Sequence, residues 1–168
     1  MTEIQSTSNP RPPLVLAFDP GQTGGYAIVG PADFHGGGRM PVVTRSKRKI
    51  VDCSKLDEAL SGVPFDRIVI EQVSAMPRQG VTSSFNFGRH TGSIEGWALS
   101  QNVPVHWVTP SVWKGRMGLT SDKQASMDMA RLEFGPYPVW SVKANDGIAE
   151  AALLALYWQR YGGGGRAS

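Results

Sequence analysis

Four carboxylates stand out by where they fall in the sequence. Asp19 ends an apolar run and is followed by Pro20, Gly21 and, a little later, Gly24 and Gly25. Glu71 ends a second run of the same kind, RIVIE. Glu150 is the one charged residue in IAEAALLALYW, residues 148–158, and Asp146 stands four residues before it. A helix that is apolar all round is buried, and a lone buried carboxylate is costly unless it is paired or ligates a metal. At a spacing of four the two acids share a face and repel each other, so the pair calls for a cation. The alternative leaves Asp146 at a helix N-terminus, where the dipole favours an acid, and lets Glu150 reach solvent. Asp19 also reads two ways, as a metal ligand or as the first residue of an Asp-Pro-Gly turn. If the two strand ends are neighbours and the helix lies beside both, all four acids meet at one rim. An all-oxygen set suits Mg²⁺, with Mn²⁺ as a substitute. Two such ions held by carboxylates and a substrate phosphate serve phosphodiester hydrolysis. His35, His90 and His106 are scattered, and Cys53 is the single cysteine, so no zinc pattern competes. One cysteine excludes an internal disulfide and fits a reducing compartment.

Positioning these acids requires strands that stop at them. Residues 14–29, LVLAFDPGQTGGYAIV, read as a buried strand, a tight turn and a hairpin partner at 25–30. Pro20 pushes Asp19 towards the extended region. Gly21, Gly24 and Gly25 free the turn of side chains, so that backbone can approach a phosphate or an ion. Residues 31–40 read as a glycine-rich turn, and a third strand at 42–44 completes an antiparallel meander. A short helix at 54–61 is expected with Ser54 as its cap. The strand at 67–71 comes next, then a helix over 85–101. Gly88, Gly92 and Gly96 recur at a spacing of four on that helix, which suits close packing on the sheet or a subunit interface. Residues 103–108 read as a further buried strand, and Thr109 with Pro110 starts another helix. Helices at 122–134 and 145–161 close the chain. Strands followed by alternating helices and strands indicate an α/β fold with a mixed sheet. The expected domain spans residues 14–161, after a disordered lead-in at 1–13 that lacks a signal peptide's apolar core and before a flexible tail at 162–168.

No run is long enough to span a bilayer, so a soluble protein without a membrane partner is expected. The net charge of +3 and pI near 9.2 lean towards an anionic partner such as nucleic acid.

Four stretches together, FDPGQTGGYAIV, IVIEQVSAMPRQGVTSSFNFGRHTG, VPVHWVTPSVWKGRMGL and KANDGIAEAALLALYW, resemble the RuvC-type Holliday-junction resolvases, and most of all phage-encoded members. The resemblance covers roughly residues 14–161. It implies a ribonuclease-H-like fold, with a central mixed five-stranded sheet flanked by helices, and a homodimer. It also implies Mg²⁺-dependent nicking of four-way DNA junctions in the cytoplasm of a bacterium or a phage-infected host. Asp19 matches the first-strand acid of the family, Glu71 the later strand acid, and Glu150 the last acid of the final helix. Asp146 stands where the family has an acid or a histidine one turn earlier. Its spacing of four from Glu150 departs from the three of the cellular enzymes. The other alignment makes Asp146 the last acid and Lys143 its upstream partner, a lysine that would act on substrate or water.

DNA contacts are expected from several places. Arg78 and Arg89 suit phosphates, and Phe85 or Phe87 suits stacking on bases at a branch point, unless both rings pack inward. Lys114, Arg116 and Lys123 bracket a loop near the presumed cleft. Arg45, Lys47, Arg48 and Lys49 form the densest basic run, which is either a DNA contact or a solvated edge. Three other functions fit parts of this pattern. Asp-x-Gly-x-Thr-Gly-Gly also resembles the phosphate loop of actin-like sugar kinases and ATPases, but those need two such domains. A non-catalytic DNA-binding module on the same fold would have no reason to keep repelling acids together. A nuclease acting on another structured nucleic acid, such as a ribosomal RNA precursor, is the third.

Overall fold

The computed structural model describes residues 12–21, 23–74 and 80–162. Arg78, most of the lead-in and most of the tail lie outside the described residues. The chain forms β1 (Val15–Asp19), β2 (Gly25–Val29), β3 (Phe34–Arg39), β4 (Val42–Arg45), β5 (Arg48–Val51) and α1 (Cys53–Leu60). It continues through β6 (Arg67–Glu71), α2 (Val81–Leu99), β7 (Val105–Val108), α3 (Pro110–Arg116), α4 (Lys123–Phe134) and α5 (Asp146–Tyr161). Five strands make one mixed sheet in the order β3-β2-β1-β6-β7. The first three are antiparallel neighbours, whereas β6 and β7 run parallel to β1.

Both faces of this sheet are covered, which is why β1 and β6 are apolar almost throughout rather than alternating. Their side chains nevertheless alternate between two cores. Leu16, Phe18, Ile68 and Ile70 pack with α1 and α2, while Val15, Ala17 and Val69 pack with α3, α4 and α5. With a period of two, Asp19 and Glu71 belong to the second face, that of α5. The β1–β6 register runs through Phe18 opposite Ile70, so the next residues, Asp19 and Glu71, end adjacent parallel strands side by side.

Two expectations about the strands need correction. Residues 31–40 are not a turn: they contain β3, the third strand of the sheet. Two of the three glycines that suggest a turn, Gly37 and Gly38, have close neighbours instead. A Cβ on Gly37 would lie 2.4 Å from the Tyr26 carbonyl oxygen, and one on Gly38 would lie 2.7 Å from the Tyr26 hydroxyl. Residues 42–45 are not in the main sheet but pair with Arg48–Val51 as a separate hairpin. The cap of α1 also shifts, because Asp52 accepts from the Lys55 N–H and the Ser54 hydroxyl. Helix α2 starts at Val81, four residues earlier than read. Only residues in its C-terminal half (His90, Ile94, Trp97 and Ala98) are buried, and Gly88, Gly92 and Gly96 face open space rather than the sheet.

Helix α5 is the buried centre of the second face, with every residue from Ile148 to Leu156 except Glu150 buried. It approaches the β1–β2 turn so closely that Gly24 and Gly147 form a bridge. A Cβ on Gly147 would lie 2.7 Å from the Gly24 Cα, and one on Gly25 would lie 2.8 Å from the Ile148 nitrogen. Gly25 and Gly147 therefore admit the close approach of helix and turn, while a Cβ on Gly24 would lie 2.1 Å from the Asp19 carbonyl oxygen of the turn itself.

Candidate active site

Strand alternation aims Asp19 and Glu71 at α5, and the glycine contact brings the first turns of α5 up to meet them. Oxygens of Asp19, Glu71 and Glu150 lie within 4.8 Å of one another. Asp19 also serves the turn, since its Oδ1 accepts from the Gly21 N–H at 3.3 Å. Burial first, and then the charges of Glu71 and Glu150, raise the Asp19 pKa from 3.8 to about 7. The Gly21 N–H and Lys114 only partly offset this. Glu71 is also raised, chiefly by burial. A hydrogen bond from Trp113 opposes that shift, with Nε1 donating to Oε1 at 2.9 Å.

Two lysines edge the cluster. Lys114, at the end of α3, donates to Glu150 Oε1 at 2.8 Å and lies 5.2 Å from the centre of the Trp113 ring. The Ser126 hydroxyl donates to the same Glu150 oxygen at 3.2 Å. Lys123, the first residue of α4, pairs with Asp146, and that hydrogen bond raises the lysine pKa. Asp146 is buried one turn before Glu150 but lies outside the group of three, held by Lys123 instead. Lys143 lines a cleft with Lys123 and Asp146, so it borders the site on the Asp146 side.

The donor set fits a divalent cation. It is all oxygen, burial together with repulsion among its three carboxylates favours a proton on Asp19 near neutrality, and the nearby ammoniums are fewer than the acids. The environment can therefore bind a metal and, through it, a phosphate oxygen.

The other expected contacts divide. Arg116 lies 4.8 Å from the ring of Tyr161, at the far end of α5 from Glu150. Phe85 is exposed and Phe87 half-buried, so Phe85 is the ring free to stack. The Arg89 guanidinium sits 5.8 Å from the Phe85 ring centre. Arg45, Lys47, Arg48 and Lys49 are exposed on the β4–β5 hairpin. His90 and His106 are structural: His90 Nε2 donates to the Lys49 carbonyl at 2.8 Å, and His106 stacks on Trp158.

Trp113 and Ser126 escaped the sequence reading as parts of the site. A buried tryptophan needs a partner for its N–H, but nothing in the sequence says that the partner is Glu71. Ser126 carries no local signal at all.

No family model matches the chain, and no curated protein matches its sequence. Solved structures do. Thermus thermophilus RuvC in complex with a Holliday junction substrate has a TM-score of 0.64 at 20% identity, with 89% of this chain and 96% of that one covered. A second T. thermophilus RuvC structure gives 0.61 at 19% identity, with the same coverage. The yeast mitochondrial Holliday junction resolvase gives 0.42 at 13% identity, covering 90% of this chain and 80% of that one. The likeness to the RuvC structures establishes the architecture: a ribonuclease-H-like fold whose mixed five-stranded sheet is flanked by helices.

Proposed function

We propose that the protein is a Mg²⁺-dependent, structure-selective endonuclease that resolves four-way DNA junctions by symmetric paired nicks. The observation that carries this reading is the meeting of Asp19, Glu71 and Glu150 at the ends of two adjacent parallel strands. The fold adds support, since one of the matching RuvC structures holds a Holliday junction.

Asp19, Glu71 and Glu150 would hold the metal, with Asp146 available as a further ligand once Lys123 turns to the substrate. When bound, two Mg²⁺ ions activate water and stabilise the leaving oxygen. The chain's own residues set the stage for this. Trp113 fixes one Glu71 oxygen, and Ser126 with Lys114 fixes one Glu150 oxygen. Lys114 and Lys123, now paired with Glu150 and Asp146, would turn to the phosphate of the scissile strand once a metal held the acids. Lys143 sits where it could reach the same strand. Symmetric nicking needs two such sites, so the active species is a homodimer. Such an enzyme would work in the cytoplasm of a bacterium or a phage-infected cell, and the sequence stretches that resemble phage-encoded resolvases favour a phage gene. Among the described residues, no helix is long and apolar enough to cross a membrane. The kinase-like alternative loses its phosphate loop, because the space beside Gly24 and Gly25 is filled by α5.

The test uses labelled four-way junction, linear duplex, flap DNA and a structured RNA, each with and without Mg²⁺. Paired nicks confined to the junction and dependent on Mg²⁺ are expected. Asp19→Asn should lose more than the ~100-fold that removal of a supporting partner costs. Cleavage of RNA alone, or an Asp19→Asn protein as active as the parent, would remove the reading.

A further inference from the structure

The β4–β5 hairpin lies outside the main sheet, and three features of it work against its own stability. Arg45 and Arg48 are directly opposite each other in the register, and like charges there are destabilising. Its two-residue turn puts Ser46 at φ 49° and Lys47 at φ 64°. Both are left-handed positions that favour asparagine or glycine. Helix α2 adds Arg89, so that Arg45, Ser46, Arg48 and Arg89 line one solvent-facing concavity of about 350 Å³. Among the described residues, no carboxylate pairs with any of these three arginines.

The hairpin is also held in place. Val51 is buried in the core with α1 and α2, and His90 of α2 donates to the Lys49 carbonyl. It leaves the sheet at the rim that carries the acids, because the Met40 N–H donates to the Gly24 carbonyl in the loop after Asp19. Strain and repulsion kept in a rigid element point to a ligand that relieves them. Guanidinium forks match phosphate oxygens in pairs, and an open concavity lets a chain pass through rather than end there.

We propose that Arg45, Arg48 and Arg89 form a preformed site for the backbone phosphates of a DNA arm, separate from the carboxylate cluster. This rests on the reading of branched DNA as the substrate. The site grips the duplex to the side of the cut and sets how the arm enters the cleft.

Binding of a labelled four-way DNA junction to the full chain in EDTA tests it, across a salt series and beside a structured RNA of equal length. The triple variant Arg45→Ala/Arg48→Ala/Arg89→Ala should bind the junction about tenfold more weakly. Its slope of log K against log salt should shrink by about two to three, since each of the three lost phosphate contacts carries about 0.9. The triple lysine variant should regain the slope but not the full affinity, because the fork is missing. Lys55→Ala, an exposed charge on α1, should bind like the parent. All three arginines are exposed, so circular dichroism of the variants should match the parent, and the alanine triple should melt no lower than the parent because it loses the Arg45–Arg48 repulsion. Equal affinity and slope in the alanine triple would overturn the site, and so would a loss confined to RNA. Nicking assayed in parallel separates the two ideas. A triple variant that loses DNA binding, beside a parent that never nicks, keeps the site and removes the nuclease reading. Junction nicking with unchanged binding in the triple does the reverse.

Discussion

Asp19 sits where its surroundings oppose a charge. Its folded pKa of about 7 lies above the ordinary 3.8 because of burial and the charges of Glu71 and Glu150. In the metal-free protein the folded state therefore keeps a proton that the unfolded chain releases. The stability this proton confers is complete below about pH 4 and is lost as pH rises through 7. At about 1.4 kcal/mol per pKa unit, the loss is on the order of 4 kcal/mol. Thermal melts in EDTA should thus show the parent falling between pH 5 and pH 8 more steeply than Asp19→Asn, with the variant the more stable at pH 8. Adding Mg²⁺ at pH 8 should raise the parent's Tm and leave the variant's nearly unmoved. Parallel curves for the two proteins in EDTA would contradict the assignment. A second prediction concerns Trp113. Trp113→Phe keeps most of the buried ring but removes the donor that lowers the Glu71 pKa. The acid limb of the pH–rate profile should move upward and activity should fall by about 10- to 100-fold, with the melt showing the protein folded. At this scale the sequence showed three of the four acids that were expected to meet, because a strand that stops at a carboxylate and a carboxylate alone in an apolar helix are local patterns. It did not show that Lys123 holds Asp146 outside the group. Nor did it show Trp113 or Ser126, whose partners lie 42 and 24 residues away.

Helix α5 and the β1–β2 turn meet through backbone, and that contact sets the distance between the strand acids and Glu150. Gly147→Ala would drive a methyl to within 2.7 Å of the Gly24 backbone. Neither side is a flexible side chain, so the helix has to move. Overpacking of this kind costs about 1–3 kcal/mol, and the displacement falls on the turn that carries Asp146 and Glu150. Gly147→Ala should therefore lose nicking out of proportion to its drop in Tm. Gly115→Ala, where a Cβ meets nothing within 4 Å, should match the parent in stability. A Gly147→Ala protein that melts and nicks like the parent would show that the contact does not set the site. Glycine is also where sequence reading of the elements went astray. In residues 34–39 it marks a strand crossed closely by Tyr26 and α5, whereas on α2 it marks an open face. The residue type is the same in both, and only the tertiary neighbours differ.

At the scale of the whole molecule, α2 leaves one side without a partner. Val81, Phe85, Gly88, Gly92, Gly96 and Leu99 recur at spacings that return to one side of a helix, and all are exposed. Val81 is 87% exposed, Phe85 57% and Leu99 63%, on a helix whose buried residues lie opposite. With sheet packing excluded by the open space beside the three glycines, a subunit interface and a DNA contact are left as readings of this face, and we propose the interface. A face flanked by apolar residues and floored by glycines lets a second copy of the same helix approach closely, and a two-fold axis makes such a face its own complement. Paired nicks on a junction need that pairing of sites. Gly92→Arg places a long cation at the centre of the face, while as an exposed helical substitution it should not unfold the monomer. Sedimentation should then show the parent as a dimer and Gly92→Arg as a monomer of unchanged Tm. On a four-way junction the monomer should nick single strands without coordinating the second cut. A dimer that survives Gly92→Arg with both cuts coordinated would move the interface elsewhere on the molecule and leave the glycine face to the DNA.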